Sequence, residues 1–209
     1  MMAYFPFFVD LEGKNGLVVG GGTVALRKVE KLLPYGPRLT VVALEFRPEF
    51  RGMENVELRQ RPFEQSDLEG SDFAVVATDD RALNHRAAEF CKEQRIPVNV
   101  ADSKEDSAFL FPALLQRGEL SVGVSASGAS PAAAACIRDR FAQVLPDRLE
   151  EILAFLAQVR EPVRQTLPDS EARRRLLTAL VADCMEAGRP LTKEEFRRKL
   201  ADAERGEPV

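Results

Sequence analysis

Residues 17–28 read Leu-Val-Val-Gly-Gly-Gly-Thr-Val-Ala-Leu-Arg-Lys, and this stretch decides the fold. Leu17, Val18 and Val19 make a short apolar run, and Gly20, Gly21 and Gly22 follow at once. Beyond them Ala25, Val29, Leu32 and Leu33 recur at helical spacing, with Arg27, Lys28, Glu30 and Lys31 on the other side. That order predicts a buried strand, a tight turn and an amphipathic helix. Gly20, Gly22 and Ala25 fit the G-x-G-x-x-G/A spacing of dinucleotide-binding turns. The first glycine permits the turn, the second admits a pyrophosphate to the backbone, and the small third residue lets helix and strand pack closely. Free N–H groups at the helix start then face the phosphates. The competing reading is a structural glycine turn in another α/β protein.

Outward from this turn, strands and helices alternate. The first helix is expected to stop near residues 34–36, where Pro34 and Gly36 stand. Strands are expected at 38–44, 56–59, 73–77 and 96–100, with a helix from Asp80 to about Gln94 that an aspartate caps. Alternation of this kind implies a mostly parallel sheet with helices on its faces. Residues 5–9 are aromatic and interrupted by Pro6, which suits a sheet edge or a lead-in. The pattern then changes. Apolar runs at 109–115 and 120–124 flank Gln116-Arg117-Gly118-Glu119 and predict a β-hairpin. Its open edges call for a partner, and a second copy of the chain would supply one. Ser130 and Pro131 open a helix to Val144, Pro146 breaks it, and Asp147 is placed to cap the next. Pro162 should end or kink that one, Ser170 opens another to Ala187, and Thr192 with Glu195 forms a capping box for the last. The expected architecture is α/β: a Rossmann-like domain over 1–112, a dimerisation hairpin and helix over 113–145, and a helical C-terminal subdomain over 146–209.

Composition narrows the class. Of 209 residues 45% are hydrophobic, enough for a sizeable core, and a net charge of −4 argues against a nucleic-acid partner. Cys91, Cys136 and Cys184 lie far apart, fit no disulfide framework or zinc spacing, and read as small hydrophobes on helix faces. No apolar run approaches the ~18 residues a membrane span needs. The N-terminus lacks the basic region of a signal peptide, so a cytoplasmic protein is expected.

Several motifs occur in fixed order: Phe-Pro-Phe-Phe-Val-Asp-Leu, Val-Val-Gly-Gly-Gly-Thr-Val-Ala-Leu-Arg-Lys, Ala-Thr-Asp-Asp, Pro-Val-Asn-Val-Ala-Asp, Phe-Leu-Phe-Pro-Ala and Ser-Ala-Ser-Gly-Ala-Ser-Pro. Together they resemble the precorrin-2 dehydrogenase family, which also occurs as the N-terminal module of multifunctional siroheme synthase. The resemblance covers about residues 3–150. It implies NAD-dependent oxidation of precorrin-2 to sirohydrochlorin, ferrous iron insertion in some members, and a homodimer held partly through the hairpin. It leaves no room for the methyltransferase half, so a separate methyltransferase would supply the substrate.

The same resemblance assigns residues. Gly20, Gly21, Gly22, Thr23 and Val24, then Leu44, Glu45 and Thr78, become nucleotide contacts. Glu45 lies near where an acidic residue would meet the ribose hydroxyls, which favours NAD; it also reads as a plain surface glutamate, and Arg47 keeps NADP open. Asp79 and Asp80 fit a helix cap. Asp102 matches the family's Asn-Val-x-Asp stretch and follows a strand's carboxyl end, where open α/β sheets build sites. It is the expected proton acceptor; the alternative is a turn residue. Asn99 is a candidate to orient nicotinamide or macrocycle, or is simply a polar core residue. Ser125 and Ser127 lie in a loop the family places near the tetrapyrrole. Arg138 and Arg140 are either partners for substrate carboxylates or surface charge. His85, the lone histidine, reads as a helix-face residue, and no resident metal is expected. Two rivals remain. One is a non-catalytic NAD or tetrapyrrole sensor on this fold. The other, a short-chain dehydrogenase, lacks its Tyr-x-x-x-Lys pair, since the tyrosines are Tyr4 and Tyr35.

Overall fold

In the computed structural model, which describes residues 4–207, the strands β1 (Asn15–Val19), β2 (Arg38–Ala43), β3 (Val56–Gln60), β4 (Phe73–Val76) and β5 (Val98–Val100) form one parallel sheet in the order β3-β2-β1-β4-β5. Side chains alternate across a strand, so the apolar runs split between two faces. Leu17, Val19, Val42, Ala74, Val76, Val98 and Val100 join Ala87, Ala88 and Cys91 of helix α2 (Arg81–Glu93). Val18, Leu39, Val41, Phe73, Val75 and Ala77 join Ala25, Leu26, Val29 and Leu32 of helix α1 (Thr23–Leu32). One in-register row on the α1 face runs Leu58, Val41, Val18, Val75, Asn99. Asn99 is its single polar member, 4% exposed.

The chain divides after Phe111 into two compact units, the sheet unit and one from Pro112 onward. The second unit starts with an antiparallel hairpin, β6 (Ala113–Arg117) and β7 (Leu120–Val124). Arg117 faces Leu120, which leaves Gly118-Glu119 as a two-residue turn with Gly118 at φ +52. A glycine leading such a turn gives the twist a hairpin needs. Helix α3 (Pro131–Val144) packs on both strands. Helices α4 (Leu149–Thr166), α5 (Ser170–Ala187) and α6 (Lys193–Glu204) close a core on Val159, Val163, Leu176 and Leu180. The box at Thr192 and Glu195 forms as expected, and Arg189 pairs with Glu195, holding that carboxyl at about 2.

Some local expectations are corrected. Of the two readings of residues 5–9, the sheet edge falls and the lead-in stands: they form no strand and leave Phe5, Phe7 and Phe8 exposed, and Pro6 lacks the N–H an edge would use. The first hairpin strand starts at Ala113, not 109, because Phe109 and Phe111 pack into the α1-face core of the sheet unit. Asp147 caps nothing; Arg148 is the N-cap of α4 and makes no side-chain cap bond. Pro162 lies inside α4 and does not end it. Asp169 caps the helix that Ser170 starts. Cys91 and Cys184 are buried, with burial pushing the Cys91 thiol up to about 11, but Cys136 is exposed.

Candidate active site

The strand order reverses between β1 and β4, and open parallel sheets bind ligands at the carboxyl ends beside such a switch. Gly20 leaves β1 there with φ +120, and a Cβ on it would stand 2.3 Å from the Ala77 carbonyl oxygen. A Cβ on Gly21 would stand 2.0 Å from the Glu45 carbonyl oxygen. Both positions are therefore closed to side chains by backbone of the flanking loops. Gly22 differs. Its φ is −82 and a Cβ would meet nothing within 4 Å, so its missing side chain leaves open space in front of α1. Gly22 is also the N-cap of α1 with no side-chain cap bond, so the first amides of that helix have no side-chain acceptor. Thr23 and Val24 are exposed on that first turn. Open space beside unsatisfied amides at a positive helix end fits a pyrophosphate.

The loop after β2 lies against this turn. Arg47 N–H donates to the Gly21 carbonyl (3.0 Å). The Arg47 guanidinium donates to Thr23 Oγ1 (3.3 Å) and pairs with Glu49 (2.8 Å). Leu44 and Glu45 are exposed beside it.

At the end of β4, Thr78 donates its Oγ1–H to Asn84 Oδ1 (2.6 Å) and its carbonyl accepts from Asn84 Nδ2 (3.0 Å). Asn84 Nδ2 also donates to Asp102 Oδ1 (3.1 Å). Asp102 follows β5, and the Arg81 guanidinium lies 3.6 Å from its other oxygen. Asp80 caps α2, accepting from the amides of Ala82 (2.9 Å) and Leu83 (3.0 Å), as its position suggested. Arg81, Asn84, His85, Val100, Asp102, Ser103 and Asp106 line an open polar depression of about 310 Å³. His85 is exposed, with Nδ1 3.1 Å from Asp106, and that contact is the main cause holding the Asp106 carboxyl below the usual range.

Asn99 faces α1. Its Nδ2 donates to the Phe109 carbonyl (2.9 Å), and its Oδ1 accepts from Lys28 Nζ (2.7 Å). Lys28 also lies 4.0 Å from the Phe111 ring centre, and burial lowers its pKa to about 8, with Lys31 adding repulsion. The sheet unit thus brings together the glycine turn, the β2 loop, Thr78, Asn99 and Asp102. Ser125 and Ser127 lie in the second unit, where Ser125 Oγ accepts from the Ser127 amide (3.2 Å) in the turn before α3. Arg138 pairs with its neighbour Asp139. Among the described residues no group of His, Cys, Asp and Glu is placed to hold a metal, and no helix is long and apolar enough to cross a membrane.

Sequence reading passed over Asn84 and set Lys28 on the polar side of α1, whereas the structure turns Lys28 toward Asn99 of β5. Each carries a signal: Asn84 precedes Ala87, Ala88 and Cys91 by three, four and seven, and Lys28 stands three after Ala25 and four before Leu32. Both are polar residues in phase with an apolar helix face.

A family model described as "Putative NAD(P)-binding" matches residues 7–113. A siroheme synthase of Methylococcus capsulatus is 37% identical over 209 residues, covering 97% of this chain and 44% of that protein. One from Thioalkalivibrio sulfidiphilus is 37% identical, with 96% and 42% covered, and one from Escherichia coli is 38% identical, with 83% and 39% covered. The chain therefore spans about two fifths of the length of these curated relatives. A solved structure titled "SirC, precorrin-2 dehydrogenase" superposes with a TM-score of 0.75 at 28% identity, covering 97% of this chain and all of that one.

Proposed function

The chain belongs to the NAD(P)-binding family whose model covers residues 7–113, and we propose that it oxidises precorrin-2 to sirohydrochlorin with NAD as hydride acceptor. The observation that carries the reading is the joining of Thr78 to Asp102 through Asn84, at strand ends beside the glycine turn. The names of the relatives and of the superposed structure support the same chemistry.

In this reading the α1 amides and the bare Gly22 hold the pyrophosphate, and Glu45 meets the adenosine ribose. NAD supplies the hydride acceptor when bound. Asp102 takes the proton that leaves the macrocycle with the hydride, one oxygen tied to Asn84 and the other facing the open depression. Asn99, Ser125 and Ser127 are assigned to the substrate. Both polar ends of Asn99 already have protein partners, so it would act mainly by fixing neighbours. Ferrous iron enters as substrate of a second step, in which Asp102 would take pyrrole protons. A homodimer through the hairpin and α3 belongs to the same proposal, supported by Ile137, Phe141 and Val144. They recur at helical spacing on α3 and are all exposed.

Purified protein mixed with precorrin-2 and NAD tests the reading by absorbance of sirohydrochlorin and NADH, with ferrous iron added afterwards. NADH formation matched to sirohydrochlorin is expected. Binding of NAD without any turnover would move the protein to the sensor reading.

A further inference from the structure

We propose that Asn84 is a positioning residue that locks the Asp102 carboxylate to the nucleotide-side end of β4. The proposal rests on Asp102 as proton acceptor. Asn84 is 1% exposed, and its amide has two donors and an oxygen with two lone pairs. All are engaged. Oδ1 receives Thr78 Oγ1–H (2.6 Å) and the Thr78 amide (3.3 Å), while Nδ2 donates to the Thr78 carbonyl (3.0 Å) and to Asp102 Oδ1 (3.1 Å). The amide cannot turn without breaking bonds at both ends. A helical side chain leans toward its own N-terminus, which aims position 84 at the ends of β4 and β5.

Neutrality matters as much as geometry. An amide donor orients a carboxylate oxygen without bringing a counter-charge to it, so Oδ1 is fixed by a neutral partner. The charged and titratable groups around it are Arg81 at 3.6 Å, itself 91% exposed, and His85 and Asp106 across the depression. Arg81 is too exposed at that distance to fix the carboxylate by itself. The buried amide supplies that order.

The test uses Asn84→Asp, which preserves shape and the acceptor for the Thr78 hydroxyl but turns the donor shared by the Thr78 carbonyl and Asp102 into a second carboxylate oxygen. NAD affinity should stay near the parent's. Precorrin-2 turnover should fall on the order of 10²-fold at neutral pH, as expected for a misplaced catalytic group. The acid limb of the pH–rate profile should move to higher pH, because two adjacent carboxylates cannot both ionise freely. Asn84→Ser, smaller and uncharged, guards against misfolding: it should lose turnover with little movement of the limb. A purely structural role predicts lower melting temperature with an unmoved profile in both variants. That result, or near-parent turnover in folded Asn84→Asp, overturns the proposal. Asp102→Ala is run beside them. If it keeps turnover, the assignment of Asp102 fails first, and the Asn84 result is read as structural.

Discussion

The Lys28 ammonium donates to Asn99 Oδ1 across 2.7 Å and sits 4.0 Å from the centre of the Phe111 ring, so α1, β5 and the segment after β5 meet at one cation. Its partners there are neutral. Burial then costs the charged form, and the pKa falls from 10.5 to about 8.

This makes Lys28 a source of pH-dependent stability. Its folded pKa lies below the unfolded one, so the penalty is fully present below pH 8 and is relieved as pH rises from about 8 to 10.5. Each unit corresponds to about 1.4 kcal/mol, less whatever solvent contact the ammonium keeps. Relative to Lys28→Met, the parent should gain about 1–2 kcal/mol between pH 7 and pH 10. Urea unfolding of both proteins at both pH values measures it; no change in the difference would mean the ammonium is well solvated.

Gly20 and Gly22 should separate by function. Gly20→Ala meets the Ala77 carbonyl at positive φ and should lose at least about 2 kcal/mol of stability. Gly22→Ala meets nothing, so its melting should match the parent within about 0.5 kcal/mol. Its methyl would occupy the pyrophosphate's space, and NAD should bind at least tenfold more weakly, about 1.4 kcal/mol. Calorimetric titration decides; parent-like NAD binding by Gly22→Ala removes the pyrophosphate from that turn.

Glu45 should govern the choice between nucleotides. Two charges 4 Å apart in water interact by about 1 kcal/mol. Glu45→Gln should therefore raise NADP affinity relative to NAD by about fivefold. Fluorescence titration with both nucleotides checks it, and an unchanged ratio places Glu45 outside the ribose site.

Asp102→Ala should leave folding and NAD affinity intact while turnover drops by about 10²–10⁴-fold, the usual cost of losing a general base. Stopped-flow absorbance gives the rate. Retained turnover would leave Asp102 a turn residue held by Asn84.

Phe141→Asp should weaken self-association. Phe141 is 49% exposed on α3, and burying such a side chain contributes about 1.5–3 kcal/mol. Sedimentation over a concentration series should show the variant dissociating at least tenfold more readily. An equally tight dimer would move the interface elsewhere.

The sheet was legible in advance because its signals are local. Leu17 to Gly22 carries strand, turn and helix start in adjacent residues, and the apolar, valine-rich runs at 39–42 and 74–76 read as buried strands. Boundaries failed where tertiary packing competes with local pattern. Phe109 and Phe111 look like the start of a hairpin strand, yet the α1-face core takes them first. Pro162 reads as a stop or a kink, and α4 continues past it, so the stop falls. At the site, glycine spacing located the turn, and the Thr78-Asp79-Asp80 run located the cap of α2. The contacts of Asn84 and Lys28 join residues 18 and 71 positions apart, and only the folded sheet brings those together.

Asn99 at the end of an otherwise apolar row also bears on how the last strand finds its place. β5 is three residues long, with valine on both sides of Asn99, so length and apolar content discriminate poorly between pairings with β4. Polarity does discriminate. A slip of one residue turns Asn99 to the α2 face, away from Lys28 and the Phe109 carbonyl, and sets a valine against the ammonium. A misaligned strand would then bury an amide without partners and strand a desolvated cation at once, at about 1–3 kcal/mol for the amide alone. Chains that dock β5 out of step should release it and try again, and fidelity of assembly at this edge rests on one polar residue.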